Sequence, residues 1–439
     1  MQRNEAERSA DVIVVGAGLA GLSAVRELEA AGLSCQVAEA QGRAGGRVRS
    51  STGENGYPIE EGAQFLNQDM TGLVELVHEA GMELMVSSEG ATAGLGASGV
   101  IGTDDWLGAM DEAWPDLVSY AGYQSGRPDR SVAELIQEIT SDAKGAALMK
   151  SSLCELLCHE LSDISAQGVL EIYARYDSQR EDGECQVTGP LATVVARLVD
   201  GLLRVPHYHT AAMAVSRVAG PGGDAFDVAT SHGAYRAGAV ILAVPPVAAR
   251  EIELPPPLAD EVCAALESYI PGAMIKTTFV YRDAYWRQPA DWHGGQPIRE
   301  VVCIDPMGVT LTDTSRVGED EARLTMFTGG GRAPDLAQLA QAERQSDAID
   351  LLGQAFDDGK ARQPIEMTDT VWVQHPWCGG GYNAHIRFGG MPDAAARLRG
   401  VEGRVLFACS EIAERFPSYM EGALDAGRSC AARLLRLLR

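Results

Sequence analysis

The first forty residues alternate between apolar runs and one amphipathic stretch. Residues 12–15 form a short apolar run, residues 19–31 repeat apolar positions at three- and four-residue spacing, and residues 35–38 are again apolar. Short apolar runs indicate buried strands, and the three-to-four spacing, which ends at Gly32, indicates a helix. The pattern therefore predicts a βαβ unit at the start of the chain.

The rest of the chain shows the same two periodicities in blocks. Apolar residues at helical spacing predict helices over residues 71–80, 104–122, 131–161 and 191–202. Alternating or continuous apolar runs predict strands over residues 212–218, 225–230, 237–246, 272–282 and 321–328. The run 237–246 closes with two prolines and suits the middle of a nucleotide-binding sheet. The pattern predicts an α/β fold with a helical insertion between about residues 85 and 183 and a second, mixed sheet.

Composition narrows the function classes. The chain has 439 residues, 46% of them hydrophobic, and 61 acidic against 36 basic residues give a formal charge of −25. A surface this acidic repels phosphate backbones and anionic lipids, so we expect no nucleic-acid partner and no membrane association. No apolar segment precedes the first strand, and the expected location is cytoplasmic. The nine cysteines contain no CxxC pair and the histidines no metal spacing, so no metal site is predicted.

A glycine-rich turn follows the first strand and opens the first helix. It reads GAGLAG over residues 16–21, and its glycines permit a tight turn and close approach of the backbone to a pyrophosphate at the helix N-terminus. Glu39 ends the second strand 23 residues after Gly16, where a carboxylate can accept hydrogen bonds from ribose hydroxyls. Together these features predict a dinucleotide site.

The loop after Glu39 carries two arginines around a glycine pair. It reads E-x3-R-x-G-G-R over residues 39–47, and this motif resembles the flavin-containing amine oxidase family, which includes monoamine and polyamine oxidases. The resemblance implies that the dinucleotide is FAD. Gln41 departs from the pattern, because many family members carry an arginine there.

The resemblance continues along almost the whole chain. GAQF (62–65), the strand over 237–246, GAMIK (272–276), and FACSEIA with YMEGA near the C-terminus are similar to family segments. It implies a Rossmann-like FAD-binding domain made of residues 1–84, 184–262 and 375–439, interwoven with a substrate-binding domain made of residues 85–183 and 263–374. The cofactor-binding residues implied are Gly16, Gly18, Ala20, Gly21, Glu39, Ala40, Arg43, Gly46, Arg47, Gly62, Ala63, Gln64, Val215, Glu411, Tyr419 and Met420.

Three residues are the catalytic candidates. Taken alone, Lys276 suggests an edge-strand residue with its amine in water, but in GAMIK it resembles the family lysine that holds a water against flavin N5. Tyr382 and Tyr419 match the two tyrosines that flank the substrate amine in monoamine oxidases, although two ordinary core aromatics would look the same. Gln64 and Trp377 are candidates for the pocket wall.

The segment before Tyr382 bears on how the flavin is held. Covalent monoamine oxidases carry a cysteine immediately before this tyrosine, where this chain has Gly381, and Cys378 stands three residues too early. We therefore expect non-covalent FAD.

The family resemblance implies hydride transfer from the carbon alpha to nitrogen onto flavin N5, with reoxidation by O2 to H2O2. The substrate is expected to be a small-molecule amine or amide, and the absence of an arginine near Gln64 argues against a free amino acid. The open alternatives are a secondary-metabolite oxidase, such as the lankacidin-pathway amine/amide oxidase that also closes a macrocycle in antibiotic biosynthesis, a carotenoid-type FAD desaturase, a histone demethylase-like interaction protein and a non-catalytic flavin-binding scaffold. A homodimer also stays open.

Overall fold

The computed structural model describes residues 9–87, 90–97, 99–101, 128–140, 143–176, 178, 184–219, 224–288, 297–356 and 359–438. The helix predicted over residues 104–122 lies outside these ranges. The strands are, in chain order, β1 Ser9–Val15, β2 Cys35–Ala38, β3 Ser50–Thr52, β4 Pro58–Glu60, β5 Leu84–Val86, β6 Ala91–Gly96, β7 Gly99–Ile101, β8 Cys185–Val187, β9 Ala212–Val218, β10 Ala225–Thr230, β11 Gly233–Leu242, β12 Tyr269–Pro271, β13 Met274–Tyr281, β14 Ile298–Cys303, β15 Val309–Asp313, β16 Ala322–Gly329, β17 Glu366–Val371, β18 Ala384–Ile386 and β19 Val405–Phe407.

Helical spacing predicted the α-helices that lie within residues 19–31, 71–80, 131–161 and 191–202, whereas those within residues 246–267, 332–356 and 394–400 were not predicted. In chain order the α-helices are α1 Leu19–Ala30, α2 Thr71–Glu79, α3 Val132–Ile139, α4 Ala143–Leu157, α5 Ala166–Ala174, α6 Ala192–Asp200, α7 Pro246–Ala249, α8 Leu258–Glu267, α9 Arg332–Ala337, α10 Gln341–Phe356, α11 Ala394–Gly400 and α12 Met420–Leu437. The chain is therefore a mixed α/β protein, as predicted.

The first sheet has the order β2-β1-β11-β10-β9 and is parallel where the predicted βαβ unit lies. The first half of β11 pairs with β10, and its second half pairs with β19, which comes from the C-terminal part of the chain. Helix α12 lies along α1, where a Cβ on Gly427 would come within 2.2 Å of the Ala20 carbonyl oxygen. The first and last segments of the chain thus form one layer of the fold.

The second sheet has seven strands in the order β17-β13-β16-β15-β14-β6-β7. One face packs on helix α10 through a core that includes Phe279, Leu324 and Trp286. Strands β6 and β7 were not predicted: they lie inside the stretch expected to be a helical insertion, and the prediction of that insertion from residue 85 onward was wrong for residues 91–101. The segment ATAGLG is built from small residues with no clear period, so only its pairing with β14 identifies it as a strand.

Two short strands join distant parts of the chain. β5 pairs antiparallel with β8, and this pair brings residues 84–86 next to residues 185–187. The predicted domain boundaries at residues 84 and 184 fall at this pair, and the division into two interwoven domains stays a prediction. Within the described ranges, no helix has the length and apolar character needed to cross a bilayer.

Candidate active site

A cavity of about 710 Å³ lies between the two sheets. Its wall combines the turn after β1, the loop after β2, one face of the second sheet and the start of helix α12. Among the predicted site residues, those that line it are Gly16, Gly18, Ala20, Glu39, Ala40, Gly46, Arg47, Gly62, Ala63, Gln64, Lys276, Trp377, Tyr382, Tyr419 and Met420. Residues as far apart in sequence as Gly16 and Met420, 404 positions, therefore share one wall.

The turn after β1 is shaped for close approach of a ligand. Gly16 has a φ of +101°, and a Cβ there would come within 2.5 Å of the Ala243 carbonyl oxygen. Gly18 is the N-cap of α1, no side chain caps the helix, and a Cβ on Gly18 would meet nothing within 4 Å. The free N–H groups of α1 therefore face open cavity space, as a bound pyrophosphate requires.

Glu39 lies where the second strand ends. Its two carboxylate oxygens accept hydrogen bonds from the backbone N–H groups of Ala17, at 2.7 Å, and Gln41, at 2.8 Å. Burial nevertheless raises the pKa of Glu39. The backbone bonds hold the carboxylate at the cavity wall, and its remaining lone pairs are available to ribose hydroxyls.

The two arginines of the loop have different roles. Arg43 does not line the cavity: its guanidinium donates to the carbonyl oxygens of Ala44, Gly46 and Val48 and so holds the loop in shape. Arg47 lines the cavity and forms a two-pronged ion pair with Glu411, at 2.8 and 3.1 Å, and a 3.0 Å bond to the Ser410 hydroxyl. The loop after β2 and the C-terminal FACSEIA segment are thus directly linked.

Glu411 lies beneath Arg47 rather than in the cavity wall. Burial acts to raise the pKa of Glu411, but the charge and hydrogen bonds of Arg47 lower it on balance. The carboxylate therefore stays ionised in a buried position and fixes the direction of the Arg47 guanidinium. Two other predicted cofactor residues also lie behind the wall: Gly21, where a Cβ would come within 2.0 Å of the Gly16 carbonyl oxygen, and Val215, which packs in the core against β10.

Lys276 is buried in β13, with 2% of its surface exposed. Its Nζ donates to the Gly62 carbonyl oxygen at 2.9 Å and lies 5.4 Å from the centre of the Phe327 ring. Burial lowers the pKa of Lys276 to about 7, against an opposing effect of Glu60. This amine can therefore lose or gain its proton near neutral pH at the cavity wall.

The two tyrosines line the same cavity but pack against different partners. The Tyr419 ring lies 5.0 Å from the ring of Tyr176, tilted by 35°, whereas the Tyr382 ring meets Phe327 at 6.2 Å. The Tyr382 hydroxyl donates to Glu155 Oε1 at 3.2 Å. Each ring is therefore held from behind, and burial raises the pKa of both tyrosines well above 10.

Four cavity-lining glutamates were not predicted: Glu155, Glu184, Glu251 and Glu300. Burial and the charge of Glu300 raise the pKa of Glu155 to about 8, although Tyr382 and Thr310 donate hydrogen bonds to it. Burial and Glu300 likewise raise the pKa of Glu184 to about 7. The signal available in the sequence was a charge inside an apolar helical stretch, the Glu in LCELLC, which helical periodicity alone does not explain.

Two further features suit an FAD molecule. Helix α12 begins at Met420 with Tyr419 as its N-cap, and no side chain caps it. A second helix N-terminus, from the C-terminal part of the chain, therefore lines the cavity. Cys378 Sγ lies 3.6 Å from the Gln41 amide, close to Glu39, and Gly381 precedes Tyr382 without a thiol. The residues present therefore fit an extended dinucleotide with one phosphate-facing and one flavin-facing helix end.

Comparison with known proteins identifies the family of this chain. The family of flavin containing amine oxidoreductases matches residues 19–435. The chain belongs to this family. Bovine (Bos taurus) amine oxidase [flavin-containing] B is 25% identical over 98% of this chain and 86% of its own length, and pig (Sus scrofa) amine oxidase [flavin-containing] A is 24% identical over 99% and 86%.

Solved structures share the fold of this flavin-containing amine oxidoreductase. Cyclohexylamine oxidase from Brevibacterium oxydans IH-35A has a TM-score of 0.86 at 24% identity, and wild-type putrescine oxidase bound to putrescine has a TM-score of 0.84 at 23% identity. Each comparison covers 98% of this chain and 99% of the other. The protein is an FAD-dependent oxidoreductase that acts on C–N bonds.

Proposed function

We propose that this enzyme oxidises a small primary amine with non-covalently bound FAD and O2, and that Lys276, Tyr382 and Tyr419 are its catalytic residues. The observation that carries the proposal is the buried Lys276 amine, which lines the same cavity as both tyrosines and the uncapped start of α12. When bound there, FAD supplies the acceptor for a hydride from the carbon alpha to nitrogen and passes the electrons to O2, giving H2O2.

The two tyrosines position the substrate. Their rings lie in a cavity wall that is largely withdrawn from water, and desolvation favours the neutral amine, whose nitrogen lone pair assists loss of hydride from the neighbouring carbon. Phe327 behind Tyr382 and Tyr176 behind Tyr419 keep the rings in place. The tyrosines therefore orient the amine and exclude water around it.

Lys276 acts on the other side of the reacting centre. Its bond to the Gly62 carbonyl oxygen uses one N–H and leaves the rest of the amine free to hold a water in the cavity. When protonated, it places a positive charge where O2 accumulates negative charge, and this charge favours oxygen reduction.

The remaining charges of the cavity favour an amine over an amino acid. Among the described residues that line it, Arg47 is the sole arginine, and it is already paired with Glu411. The Gln64 amide donates to Gln186 Oε1 at 2.8 Å and carries no charge. Apart from Lys276, the described cavity wall would therefore offer a substrate carboxylate no unpaired cationic side chain. Oxidation of cyclohexylamine and of putrescine by proteins with the same fold agrees with a primary alkylamine.

Anaerobic bleaching of the flavin tests the proposal. The purified yellow holoenzyme is mixed with primary amines, secondary amines, polyamines, amino acids and N-acylated amines, and the flavin absorbance is followed. We expect primary amines to bleach the flavin and amino acids to leave it oxidised. Bleaching only by N-acylated amines, or by none of the compounds, would refute the proposed function.

A further inference from the structure

The proposed oxidation needs the amine without its extra proton. A primary alkylamine has a pKa of about 10 in water, so at neutral pH it reaches the cavity as an ammonium ion. The ammonium nitrogen has no lone pair to assist loss of hydride from the neighbouring carbon, so one N–H proton has to leave first. A buried group at the cavity wall that accepts this proton would therefore take part in the reaction.

Glu155 is a carboxylate beside the reacting centre. Lys276, Phe327 and Thr310 are directly paired across β13, β16 and β15, and all three line the cavity. Two strand spacings, about 10 Å, separate the strands of Lys276 and Thr310. Thr310 donates a hydrogen bond to Glu155. The Glu155 carboxylate therefore lies over the row of residues that begins with Lys276.

Two contacts hold Glu155 in this position. The Tyr382 hydroxyl donates to its Oε1 at 3.2 Å, so the carboxylate adjoins one of the two rings proposed to flank the amine. Helix α4, which carries Glu155, packs on the end of β16, where a Cβ on Gly329 would come within 2.7 Å of the Glu155 Cα. The lack of a side chain at residue 329 thus lets the helix approach the sheet and bring the carboxylate to the cavity wall.

The groups around Glu155 make it a base that works near neutral pH. Burial and the negative charge of Glu300 on β14 raise the pKa of Glu155 to about 8, and Glu184 before β8 adds to this rise. The hydrogen bonds from Tyr382 and from Thr310 on β15 oppose it. In a desolvated cavity, a carboxylate and an ammonium both become neutral when the proton moves, which removes the cost of burying two charges.

From the position of Glu155 over the Lys276 row, its hydrogen bond with Tyr382 and the need for a neutral amine, we infer that Glu155 accepts the proton of the substrate ammonium. One N–H bond of the ammonium breaks and its electron pair stays on nitrogen as the lone pair, while an O–H bond forms on the carboxylate. The hydride then leaves the neighbouring carbon of a neutral amine. After the product has left, the proton passes from Glu155 to water. The inference rests on the proposed amine oxidation.

Lys276 is the other titrating group at the reacting centre. Burial lowers the pKa of Lys276 to about 7, below that of Glu155, so its amine is the weaker acceptor for a proton from the substrate. Its proposed role with O2 also needs the protonated form. Glu155 therefore serves the amine, and Lys276 serves the reaction with oxygen.

The pH dependence of flavin reduction tests the inference. The rate constant kred/Kd for anaerobic reduction by the best primary monoamine is measured between about pH 6.5 and 10.5. For the wild type it should rise as Glu155 ionises, with a midpoint near pH 8. For Glu155→Gln it should follow the neutral fraction of the amine in solution, be at least about tenfold lower than wild type at pH 8, and approach wild type near pH 10.

The matched control is Glu402→Gln. Glu402 is an exposed carboxylate outside the cavity wall, and its replacement should keep the wild-type midpoint. A wild-type profile in Glu155→Gln would overturn the inference. So would a midpoint that is kept in Glu155→Gln and lost in Lys276→Met, because the proton would then belong to Lys276.

Two further variants decide the matter even where Glu155→Gln does not fold. Tyr382→Phe keeps the ring but removes a hydrogen bond that favours the ionised carboxylate, so the midpoint should move to higher pH. Glu300→Gln removes a charge that disfavours the ionised carboxylate, so the midpoint should move to lower pH. Midpoints that stay at the wild-type value in both variants would overturn the inference.

Proton release on binding gives a readout that needs no turnover. tert-Butylamine has no hydrogen on the carbon next to nitrogen, so it cannot give up hydride. Its binding to the holoenzyme at about pH 9 is followed by calorimetry in buffers of different ionisation enthalpy. The wild type should release almost no protons, because Glu155 keeps the one that leaves the ammonium, whereas Glu155→Gln should release about one for each amine bound. Equal release by both proteins would overturn the inference.

The two proposals fail in different ways. If amines reduce the flavin but Glu155→Gln keeps the wild-type midpoint and proton release, the amine oxidase proposal stands and Glu155 is not the proton acceptor. If no amine reduces the flavin of the wild-type holoenzyme, both proposals are refuted.

Discussion

Replacing Lys276 by Met should stabilise the protein, and more so at low pH. The pKa of Lys276 falls from 10.5 in the unfolded chain to about 7 in the folded protein because of burial. A difference of roughly 3.5 units corresponds to about 5 kcal/mol of stability lost wherever both states carry the proton. That loss is complete below pH 7, shrinks between pH 7 and 10.5, and is absent above pH 10.5.

The substitution also removes a favourable contact. Met cannot donate to the Gly62 carbonyl oxygen, which costs about 1–3 kcal/mol at every pH. The net expectation is a gain in the free energy of unfolding of about 2–4 kcal/mol at pH 6.5, which falls towards zero or below at pH 9.5. The stabilised variant should at the same time be the poorer oxidase, because the titrating amine is lost.

Urea unfolding of the holoenzyme at pH 6.5 and 9.5 measures this difference. The free FAD concentration is kept constant and its affinity is determined separately, because ligand binding adds to the apparent stability. Lys360→Met is the control: Lys360 is exposed and pairs with Asp283 at 2.9 Å, so its removal should change stability by less than about 1 kcal/mol at both pH values. A Lys276→Met variant that is destabilised equally at both pH values would refute the reasoning.

Four other predictions concern the cofactor and its reactions. In stopped-flow experiments, reoxidation of the reduced enzyme by O2 should accelerate as the pH falls through about 7, where Lys276 gains its proton. Reoxidation of the Lys276→Met variant should be slower and independent of pH. If the variant keeps the pH profile of the wild type, Lys276 does not have this role. Tyr382→Ala combined with Tyr419→Ala should slow anaerobic flavin reduction by about tenfold or more while FAD affinity changes little. If the flavin reduction rate and the FAD affinity fall by the same factor, the tyrosines have a structural role only. Glu411→Gln leaves the partly buried Arg47 guanidinium without its carboxylate, which should cost about 3 kcal/mol of stability and weaken FAD binding. Thermal unfolding and FAD titration measure the two effects, and native FAD affinity would contradict the role given to this pair. Acid precipitation of the holoenzyme should release all of its flavin into the supernatant, and yellow pellets would show a covalent bond.

Local sequence patterns were enough to predict the cofactor half of the site. The βαβ unit, the strands at 212–218 and 225–230 and the start of a helix at Met420 all appear where periodicity and glycine placement predict them. Such features depend on backbone geometry within a few residues, so a single chain contains the information. The family resemblance of Lys276, Tyr382 and Tyr419 then predicted residues that line one cavity.

Tertiary structure alone decided the rest. Arg43 and Arg47 look equivalent in the sequence, but one closes its own loop and the other crosses to Glu411, 364 residues away. The cavity-lining residues Glu155, Glu184 and Glu300 come from a helix, a segment before a strand and a strand, which are separated along the chain by 29 to 145 residues. Local pattern cannot predict these arrangements, because pairing register, burial and the resulting pKa shifts depend on which distant elements meet. The sequence by itself therefore determined the family and the cofactor, whereas packing of the second sheet against α4 decided which carboxylates line the cavity.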